Sequence, residues 1–575
     1  MMTIMRVTTV FREPHLWHQR GEIIVRGHAF EGDTLLGSDE LAGRLSAGLT
    51  NEEFVQWLDR LNGSFAIVHQ AGEIVRLAVD HIRSIPIFYA WDSDQLYVSD
   101  DCHWVEAQVA PGSRDPVADM EFLHSGYVMD SKTRCPRVRQ CLPGEMVTLH
   151  HQCDGLVIAS RRYFVYSHLA SSDCDQTELV SQHRAAIEAS CRRLMQLAAG
   201  RQIAVPLSGG HDSRLIVVAL RSLGCKHLCA FTYGHPSSFE VAMSRQVAEA
   251  LAVPWHFVQY SDELWASWRR SSDWKRYLAY AGTLVALPHI QDLPAVHTLR
   301  AQQRLEPDCI IVPGHSLDML AGSRSCNRFV SQLYRPAPRR DDLVVAAILR
   351  WHFPLWDRED DYVSNLQHIE KRIRQTLQQY PAAGEVPNAS LFETWDWETR
   401  QAGFIVNSAR IYDFLGFGWW QPLWDRDICE FWQRAPGRLR FGKRWYRQFV
   451  DEWYQEVTGR CPPQRAETLL GKAKKWIAHC PPLADFIVRC GGTRVLRKAQ
   501  HPLACFGMLT QAERRHLASG VTNINAFLVS EMLANDSATL TFANASNRWL
   551  APRIDAGGVR VSAKMPLVSQ GLKRN

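Results

Sequence analysis

Residues 206–214 combine residue types that together can bind phosphate. They read Pro-Leu-Ser-Gly-Gly-His-Asp-Ser-Arg, follow a short apolar run and precede a segment with helical spacing. Two glycines let the backbone approach a ligand and adopt conformations closed to other residues. The hydroxyls of Ser208 and Ser213, the loop amides and the start of a helix make an anion site. Asp212 would repel phosphate unless a divalent cation lay between them, which predicts Mg²⁺; the alternative is a glycine-rich turn in which Asp212 only caps the helix.

Residues 313–318, Pro-Gly-His-Ser-Leu-Asp, form a second candidate loop after a predicted strand. In a parallel sheet, ligands bind beyond the carboxyl ends of the strands, where Asp212 and Asp318 are both predicted to lie. Two carboxylates facing a triphosphate could hold Mg²⁺ together; otherwise Asp318 caps a helix. The chain has no G-x-x-x-x-G-K-[ST] string, which disfavours GTPases and ordinary kinases.

The elements that must position these loops alternate between strands and helices. Short connections between them imply a parallel sheet with right-handed crossovers, the α/β class. Residues 1–165 instead show short apolar runs between turn residues, typical of β-rich structure, and residues 152–174 read as a linker whose aromatic end is pinned to a neighbouring domain. Beyond about 340 the chain is rich in amphipathic helical segments. The predicted strands are 203–207, 228–233, 255–260 and 308–312, and the predicted helices between them are 177–198, 213–222 and 239–251.

Length and composition limit the class of protein. The 575 residues allow two to four domains, and a formal charge of +5 over this length gives no case for nucleic-acid binding. No stretch approaches the roughly eighteen apolar residues of a membrane span, and the first residues lack the features of a signal peptide. The sequence therefore predicts a soluble, cytoplasmic protein. The 15 cysteines include no C-x-x-C pair and indicate no metal cluster.

The string at 206–214 resembles the pyrophosphatase loop of the family that includes asparagine synthetases, β-lactam synthetases and argininosuccinate synthetases. The resemblance implies an ATP pyrophosphatase domain of the adenine nucleotide alpha hydrolase-like class, with a parallel α/β sheet and a helical C-terminal part. These enzymes cut ATP between the α and β phosphates, transfer AMP to an oxygen of the substrate and release pyrophosphate. By this resemblance Ser208, Gly209, Gly210 and Ser213 would cradle pyrophosphate.

Two further segments carry the same resemblance. The loop that ends at Asp318 resembles the Ser-Gly-x-Gly-x-Asp-Glu loop of asparagine synthetases, and Gly314 also matches it. Residues 231–234, Phe-Thr-Tyr-Gly, resemble the element whose backbone brackets adenine, and Leu207 and Tyr233 match the positions that sandwich the base. The resemblance therefore implies that ATP binds between these loops.

Candidate catalytic cations follow further along the chain. Residues 421–425, Gln-Pro-Leu-Trp-Asp, resemble the Pro-Phe-Leu-Asp segment of asparagine synthetases, which is followed in that family by a Lys-x-x-x-Arg element that Lys443 and Arg447 match. Cleavage of ATP builds negative charge on the leaving group and on the tetrahedral adduct, which Lys443 could stabilise. The alternative is a solvated basic face.

Two positions depart from the family pattern. Asparagine synthetases carry Glu at the place of His315, and β-lactam synthetases carry Tyr. A His near physiological pKa could act as general base toward an incoming amine, or it could be a structural donor to a carbonyl. Where asparagine synthetases have Glu-x-Arg, residues 418–420 read Gly-Trp-Trp. Flat indoles suit an apolar or carbohydrate-sized carboxylate better than an acidic substrate; the alternative is that these Trp are core.

The amino-terminal part resembles a different enzyme half. Residues 61–68, 79–89 and 96–100 resemble the glutaminase domain of class II glutamine amidotransferases, an α+β sandwich of the Ntn type. That glutaminase needs a Cys directly after the initiator Met, whereas this sequence begins Met-Met-Thr and has no Cys before Cys102. We therefore expect a retained scaffold without ammonia-generating activity, with the amine coming from solution, from a partner or from the substrate itself.

The sequence thus predicts three parts: a glutaminase-like domain at 1–165, an asparagine synthetase-like ATP pyrophosphatase domain at 166–515 and a C-terminal extension at 516–575. The predicted activity is an ATP- and Mg²⁺-dependent carbon–nitrogen ligase that converts a carboxylate to an acyl-adenylate, which an amine then attacks. Its partners would be a carboxylate substrate and an amine donor (a small molecule, sugar acid or peptide), with a homodimer left open. Two alternatives remain: an internal-amine ligase such as a peptide or β-lactam-type cyclase, and a non-catalytic homologue that binds ATP or a partner.

Overall fold

The structure is a computed structural model, and it describes most of the chain up to residue 463. The described residues are 6–45, 49–93, 95–152, 155–169, 175–327, 329–356, 362–381, 386–463, 503, 505–510, 513 and 523–539. The first five residues, on which the argument about a terminal cysteine depends, lie outside this set, and so does most of the predicted extension 516–575.

In its described residues, the amino-terminal part forms two β-sheets and four α-helices. One sheet has the strand order β1-β8-β7-β9, and the other has the order β11-β10-β6-β5-β3-β2 with β4 also paired to β3. Every pairing is antiparallel except that of β1 with β8. Buried side chains from both sheets form one core, including Val68, Leu77, Leu96, Val98 and Val147. The elements are β1 Arg6–Thr9, β2 Trp17–Arg20, β3 Ile23–Glu31, β4 Thr34–Leu36, α1 Ser38–Arg44, α2 Asn51–Asp59, β5 Leu61–Ala71, β6 Ile74–Val79, β7 Phe88–Asp92, β8 Gln95–Ser99, α3 Cys102–Val109, α4 Pro116–Ser125, β9 Arg139–Gln140, β10 Glu145–Gln152 and β11 Gly155–Arg162.

Strand β11 lies where the sequence predicts a linker. It pairs antiparallel with β10, so that Ile158 faces Leu149 across the hairpin. The strand was missed because it lies at a sheet edge and its residues 158–161 are exposed, which leaves no apolar alternation to detect. The aromatic end of the segment is pinned as predicted, since Tyr166 is fully buried and Gln433 Nε2 donates to the Val165 carbonyl (2.9 Å).

The second part is built on a five-stranded sheet with the order β14-β13-β12-β15-β16, in which every pairing is parallel. The predicted strands are confirmed, although β15 is shorter than expected, and α6 begins two residues before the predicted start. The edge strand β16 was not predicted, because two residues carry no periodicity. The elements are α5 Gln176–Ala198, β12 Ile203–Pro206, α6 His211–Ser222, β13 Leu228–Gly234, α7 Phe239–Ala250, β14 Trp255–Gln259, α8 Asp262–Arg270, α9 Ser272–Ala281, α10 Leu293–Ala301, β15 Ile310–Ile311, α11 Leu317–Leu320 and β16 Gly418–Trp419.

Helices make up the rest of the described chain. A π-helix at Asp396–Ile405 continues directly from the helix before it. The last helix, Ile524–Thr539, lies within the predicted extension and packs on α8, where Arg269 contacts Glu531 at 3.3 Å and lies over the ring of Phe527. The helices are α12 Asp341–His352, α13 Tyr362–Leu377, α14 Pro387–Trp395, α15 Arg410–Phe414, α16 Arg426–Arg434, α17 Gly437–Arg440, α18 Arg444–Thr458 and α19 Ile524–Thr539, and short 3₁₀ turns lie at Pro14–Leu16, Ser323–Cys326, Ser331–Tyr334, Val406–Ala409, Pro422–Trp424, Phe441–Lys443 and Cys505–Met508.

Polar and aromatic contacts join the two parts. Asn62 Nδ2 donates to Asp425 Oδ1 (3.0 Å), and Arg193 Nη1 also donates to that carboxylate (2.7 Å). Trp420 is 3% exposed and stacks on Phe30 of β3, with ring centroids 5.8 Å apart. Trp420 is therefore part of the core, as one of the two interpretations of this segment predicts. Among the described helices, none combines the length and the apolar content needed to cross a membrane.

Candidate active site

The first loop follows β12 and opens α6. Leu207 is buried, and its carbonyl accepts a hydrogen bond from Thr232 Oγ1 (2.6 Å), which ties the loop to β13. Within the loop, Ser208 N donates to Ser213 Oγ (3.1 Å), and Gly210 N donates to Ser208 Oγ (3.1 Å). The loop is therefore shaped by its own serine hydroxyls.

The two glycines of this loop leave different amounts of room for a side chain. Gly210 has φ −78°, and neither Gly209 nor Gly210 lies in the left-handed region, which corrects the expectation that they adopt conformations closed to other residues. A Cβ on Gly209 would lie 3.4 Å from Glu240 Cα and from Met243 Sδ. Gly209 therefore has room for a β-carbon at ordinary contact distance from α7, whereas a Cβ on Gly210 would lie 3.2 Å from Ser208 Oγ, closer than most real contacts.

The second loop, between β15 and α11, touches the first. A Cβ on Gly314 would lie 2.7 Å from both the N and the Cα of Ser213, closer than real Cβ contacts. Ser316 has φ 81°, in the left-handed region, and Asp318 N donates to Asp212 Oδ2 (3.0 Å). The carboxyl ends of β12 and β15 thus bring Asp212 and Asp318 together, as the parallel sheet predicts.

This contact between the loops gives a testable prediction about stability. Gly314→Ala is expected to destabilise the protein by about 1–3 kcal/mol, the usual cost of overpacking, because Ser213 backbone atoms cannot move without moving α6. Gly403→Ala is the matched control, since its Cβ would meet nothing nearer than 3.8 Å. Denaturant unfolding measures both, and equal stability of the two variants would show that the loops are not in contact.

Asp212 and Asp318 form a partly neutralised carboxylate pair. Asp212 is 9% exposed, and its Oδ1 accepts from Tyr446 Oη (2.8 Å). Burial, followed by the charge of Asp318, raises the pKa of Asp212 to about 7. Lys443 Nζ lies 3.5 Å from Asp318 Oδ2. This ammonium offsets part of the negative charge of the pair.

A cavity of about 420 Å³ opens beside this pair. Of the predicted site residues, the structure brings eight into its lining: Ser208, Gly210, Asp212, Gly314, His315, Asp318, Lys443 and Arg447. Four others do not line it: Leu207, Gly209, Ser213 and Tyr233. Of these four, Leu207 and Ser213 hold the loop in place through the hydrogen bonds described above.

Tyr233 lies in an aromatic layer at the end of β13. Its hydroxyl donates to Asp292, which also accepts from Tyr412 Oη (2.7 Å). The ring stacks on Tyr260, with centroids 5.1 Å apart and planes inclined by 21°. One face of the Tyr233 ring is therefore covered, and a nucleobase could contact only the other face.

The donor set fits a magnesium ion that arrives with a nucleotide. Mg²⁺ is usually bound through one or two carboxylates, with water and substrate phosphate oxygens completing an octahedron. Asp212 and Asp318 supply two hard oxygen donors at one cavity. Within the described part of the chain, no group of three or more His, Cys, Asp or Glu side chains is placed to hold a metal. The residues present therefore suit a nucleotide-bound Mg²⁺ better than a permanently bound ion.

His315 lines the cavity as a neutral imidazole. Burial lowers its pKa below the ordinary value, so the ring is uncharged at neutral pH. Its Nδ1 lies 3.5 Å from Ser408 Oγ, at the outer limit of a hydrogen bond. This weak contact leaves the imidazole able to accept a proton from a ligand.

Sequence reasoning missed one wall of the cavity. Arg400, Gln401 and Ile405 line it from the π-helix, and Arg324 lines it from the 3₁₀ turn after α11. Residues 418–420 do not line this cavity. Trp419 instead donates its indole N–H to Asp413 Oδ1 (3.0 Å) and lines a second cavity of about 350 Å³. No local sequence motif marks this ten-residue π-helix. A π-helical segment beside a cavity is, however, typical of a functional site.

Fold and site together define an α/β protein in which two strand-end loops, two carboxylates and several cations surround one polar cavity. The family comparison agrees: residues 182–274 match the model of the asparagine synthase family. That segment contains β12, the 208–213 loop and α6, so the resemblance stated for this loop is confirmed. The model covers less than a fifth of the chain, and the glutaminase-like resemblance of the amino-terminal part stays a prediction. A comparison with curated protein sequences found no match.

Solved structures give only slight likenesses. The ammonia-dependent NAD synthetase from Campylobacter jejuni is 11% identical and covers 40% of this chain and 94% of its own, with a TM-score of 0.20. A tRNA thiolase from Methanococcus maripaludis is 12% identical and covers 38% and 80%, with a TM-score of 0.19. A glutamine phosphoribosylpyrophosphate amidotransferase from B. subtilis is 11% identical and covers 52% and 62%, with a TM-score of 0.17. At such TM-scores these likenesses carry no argument.

Proposed function

We propose that this chain is an ATP-dependent carbon–nitrogen ligase of the asparagine synthase type, which activates a carboxylate as an acyl-adenylate and releases pyrophosphate. The observation that carries the proposal is the meeting of Asp212, Asp318 and Lys443 at one cavity. Asp212 and Asp318 follow adjacent parallel strands, and Lys443 reaches them from the start of α18. Asp212 also belongs to the segment that matches the asparagine synthase family.

The proposed reaction has two steps. A carboxylate oxygen of the substrate attacks the α-phosphorus of ATP, the bond to the oxygen that bridges the α and β phosphates breaks, and pyrophosphate leaves. An amine then attacks the acyl carbon, the carbon–oxygen bond to AMP breaks, and the nitrogen loses a proton. Charge therefore develops first on pyrophosphate and then on the tetrahedral adduct, so catalysis depends on fixed cations beside the cavity.

The loops would hold the nucleotide through its phosphates. The amides and hydroxyls of residues 208–213 would donate hydrogen bonds to the pyrophosphate portion. Asp212 and Asp318 would hold Mg²⁺, which when bound would offset the negative charge of the triphosphate. Lys443 and Arg447 lie one turn apart at the start of α18 and would stabilise the leaving pyrophosphate from the opposite side.

His315 would act in the second step by taking the proton from the attacking amine. His315→Gln is therefore expected to slow amide formation by about 10²-fold, typical of a lost general base, while exchange of pyrophosphate into ATP persists. Because burial lowers the pKa of His315, the wild-type rate should stay level through neutral pH and fall only in acid, where the imidazole gains a proton. The variant should lose this acid limb. An unchanged pH profile would make His315 structural.

The source of the amine is a separate question. Free ammonia, glutamine, a partner and the substrate itself are the four candidate sources of the nitrogen. Comparing glutamine with ammonium chloride as the nitrogen source tests this directly. Amide formation with glutamine alone would show that the amino-terminal part is an active glutaminase.

Pyrophosphate release with a panel of carboxylates tests the proposed function. Aspartate, sugar acids and short peptides are each supplied with ATP and Mg²⁺, and we expect acid-dependent formation of AMP and pyrophosphate. An internal-amine ligase would form product without an added amine, and a non-catalytic homologue would release nothing. Formation of ADP and inorganic phosphate instead would contradict the proposal.

A further inference from the structure

Two guanidinium groups line the same cavity as the 208–213 loop. Arg400 extends from the π-helix, and Arg324 from the 3₁₀ turn Ser323–Cys326. Arg400 and Ile405 are five residues apart, which is the hydrogen-bond spacing of a π-helix, so the wider turn places both on the cavity side. Neither arginine belongs to any motif discussed above.

The two guanidiniums of this wall differ in how each is paired within the described residues. Arg324 Nε donates to Asp396 Oδ2 (2.7 Å) in a buried ion pair. Arg400 has no carboxylate within 4 Å among those residues; burial and then the charge of Arg324 lower its pKa, and the charges of Asp396 and Asp318 raise it by less. His352, on the far side of Asp396, adds no charge because burial lowers its pKa to about 3. Arg324 thus has an ion-pair partner in Asp396, whereas Arg400 makes no ion pair with a carboxylate among the described residues.

Gln401 holds the two guanidiniums side by side. In the amide orientation that satisfies its neighbours, its oxygen accepts from Arg324 Nη2 (2.9 Å) and Arg400 Nη1 (3.0 Å), while its nitrogen donates to Ser316 Oγ (2.8 Å). Two like charges converging on one amide oxygen cost free energy in the free protein. A bound oxyanion would offset that cost, and the planar forks of two arginines suit a carboxylate or a phosphoryl group.

We propose that Arg324 and Arg400 form an oxyanion-binding wall, with Arg400 as the binding residue that a ligand completes. The oxyanion is either the pyrophosphate portion of the nucleotide or a carboxylate of the acid substrate. Naming these two ligands rests on the proposed function. The inference that the two arginines bind an oxyanion rests only on their charge and geometry. With either ligand, Arg324 stays in its ion pair with Asp396. The ligand therefore makes its new contacts chiefly with Arg400.

Thermal unfolding of the full chain tests the wall without an activity assay. The probes are inorganic pyrophosphate with Mg²⁺ and, separately, succinate. We expect at least one probe to raise the unfolding temperature of the wild type, and Arg400→Gln to weaken its binding about tenfold, typical of a lost charge-assisted contact. Arg400→Lys keeps the positive charge but loses the planar fork of the guanidinium, so its affinity for the probe should lie between those of the wild type and Arg400→Gln. Arg276→Gln is the matched control, because that side chain is 72% exposed on α9.

Each outcome decides the proposal. An Arg400-dependent response to pyrophosphate alone assigns the wall to the nucleotide, and a response to succinate alone assigns it to the acid substrate. Without ligand, Arg400→Gln should be at least as stable as the wild type, because it removes a repulsive charge. The proposal is overturned if neither probe protects the wild type, if Arg400→Gln responds as the wild type does, or if it unfolds earlier without ligand. If no acid-dependent pyrophosphate release is seen but the Arg400-dependent thermal shift is, the proposed ligase function is rejected and the oxyanion-binding wall is retained.

Discussion

Asp212→Asn is expected to lower carboxylate-dependent exchange of pyrophosphate into ATP by about 10³-fold or more, the scale of removing one group that organises transition-state charge. The asparagine keeps the size of the side chain and can still accept from Asp318 N, so the loops should stay in contact. What the variant loses is the charge that, with Asp318, would hold the metal beside the phosphates. Labelled pyrophosphate measures the exchange rate directly.

Unfolding measurements on Asp212→Asn distinguish loss of activity through the lost charge from loss of activity through misfolding. Because the folded-state pKa of Asp212 is raised to about 7, the folded protein binds this proton more tightly than the unfolded chain does. The contribution to stability is therefore greatest in acid and is lost as the pH rises toward and through 7. Without metal, Asp212→Asn should unfold no earlier than the wild type at pH 5 and later than it at pH 8.

The matched control for this experiment is Asp273→Asn, at an aspartate with a partly exposed side chain on α9. It should change neither the exchange rate nor the unfolding temperature. Exchange that survives Asp212→Asn at the wild-type rate would remove Asp212 from the metal site. An Asp212→Asn protein that unfolds early at pH 8 would mean that its loss of activity reports misfolding.

Lys443→Met is expected to lower exchange by about 10²–10³-fold, because it removes the ammonium that lies nearest the carboxylate pair while keeping a side chain of similar length. Lys443 has φ 58°, in the left-handed region that non-glycine residues seldom occupy. This conformation sets the ammonium 3.5 Å from Asp318 at the very start of α18. A strained residue at a cavity is typical of a position held for function.

Lys443→Gly and Arg444→Gln complete the test of this residue. Glycine accepts the left-handed conformation at no steric cost, so Lys443→Gly should be as stable as the wild type and as inactive as Lys443→Met. Arg444 is exposed and does not line the cavity, so Arg444→Gln should keep full exchange. Activity retained in both Lys443 variants would show that the leaving group is stabilised elsewhere.

The sequence predicts the centre of the second part well. Short buried strands, each followed by a turn and a helix, leave few alternatives to a parallel sheet, and the carboxyl ends of such strands share one edge. This rule places Asp212 and Asp318 together, which the hydrogen bond between them bears out. The roles of these residues in metal binding and catalysis stay predictions.

The edges of the fold and one wall of the cavity could not be predicted. Strands β11 and β16 have too few buried residues to show a period, since an edge strand packs on one neighbour only. Arg400 and Gln401 lie on a π-helix, whose wider turn differs from the 3.6-residue period on which sequence patterns rest. Their approach to Ser316 and Arg324 joins segments about eighty residues apart, and only the folded chain brings these together.

Binding of α,β-methylene-ATP, measured by calorimetry with Mg²⁺ and again with EDTA, tests most directly whether this cavity holds a nucleotide through a metal. The analogue cannot be cleaved between its α and β phosphates, so the result does not depend on knowing the acid substrate. We expect the wild type to bind it with Mg²⁺ and only weakly with EDTA, and the double variant Asp212→Asn, Asp318→Asn to bind weakly under both conditions. Equal binding to wild type and double variant, unaffected by EDTA, would contradict the account.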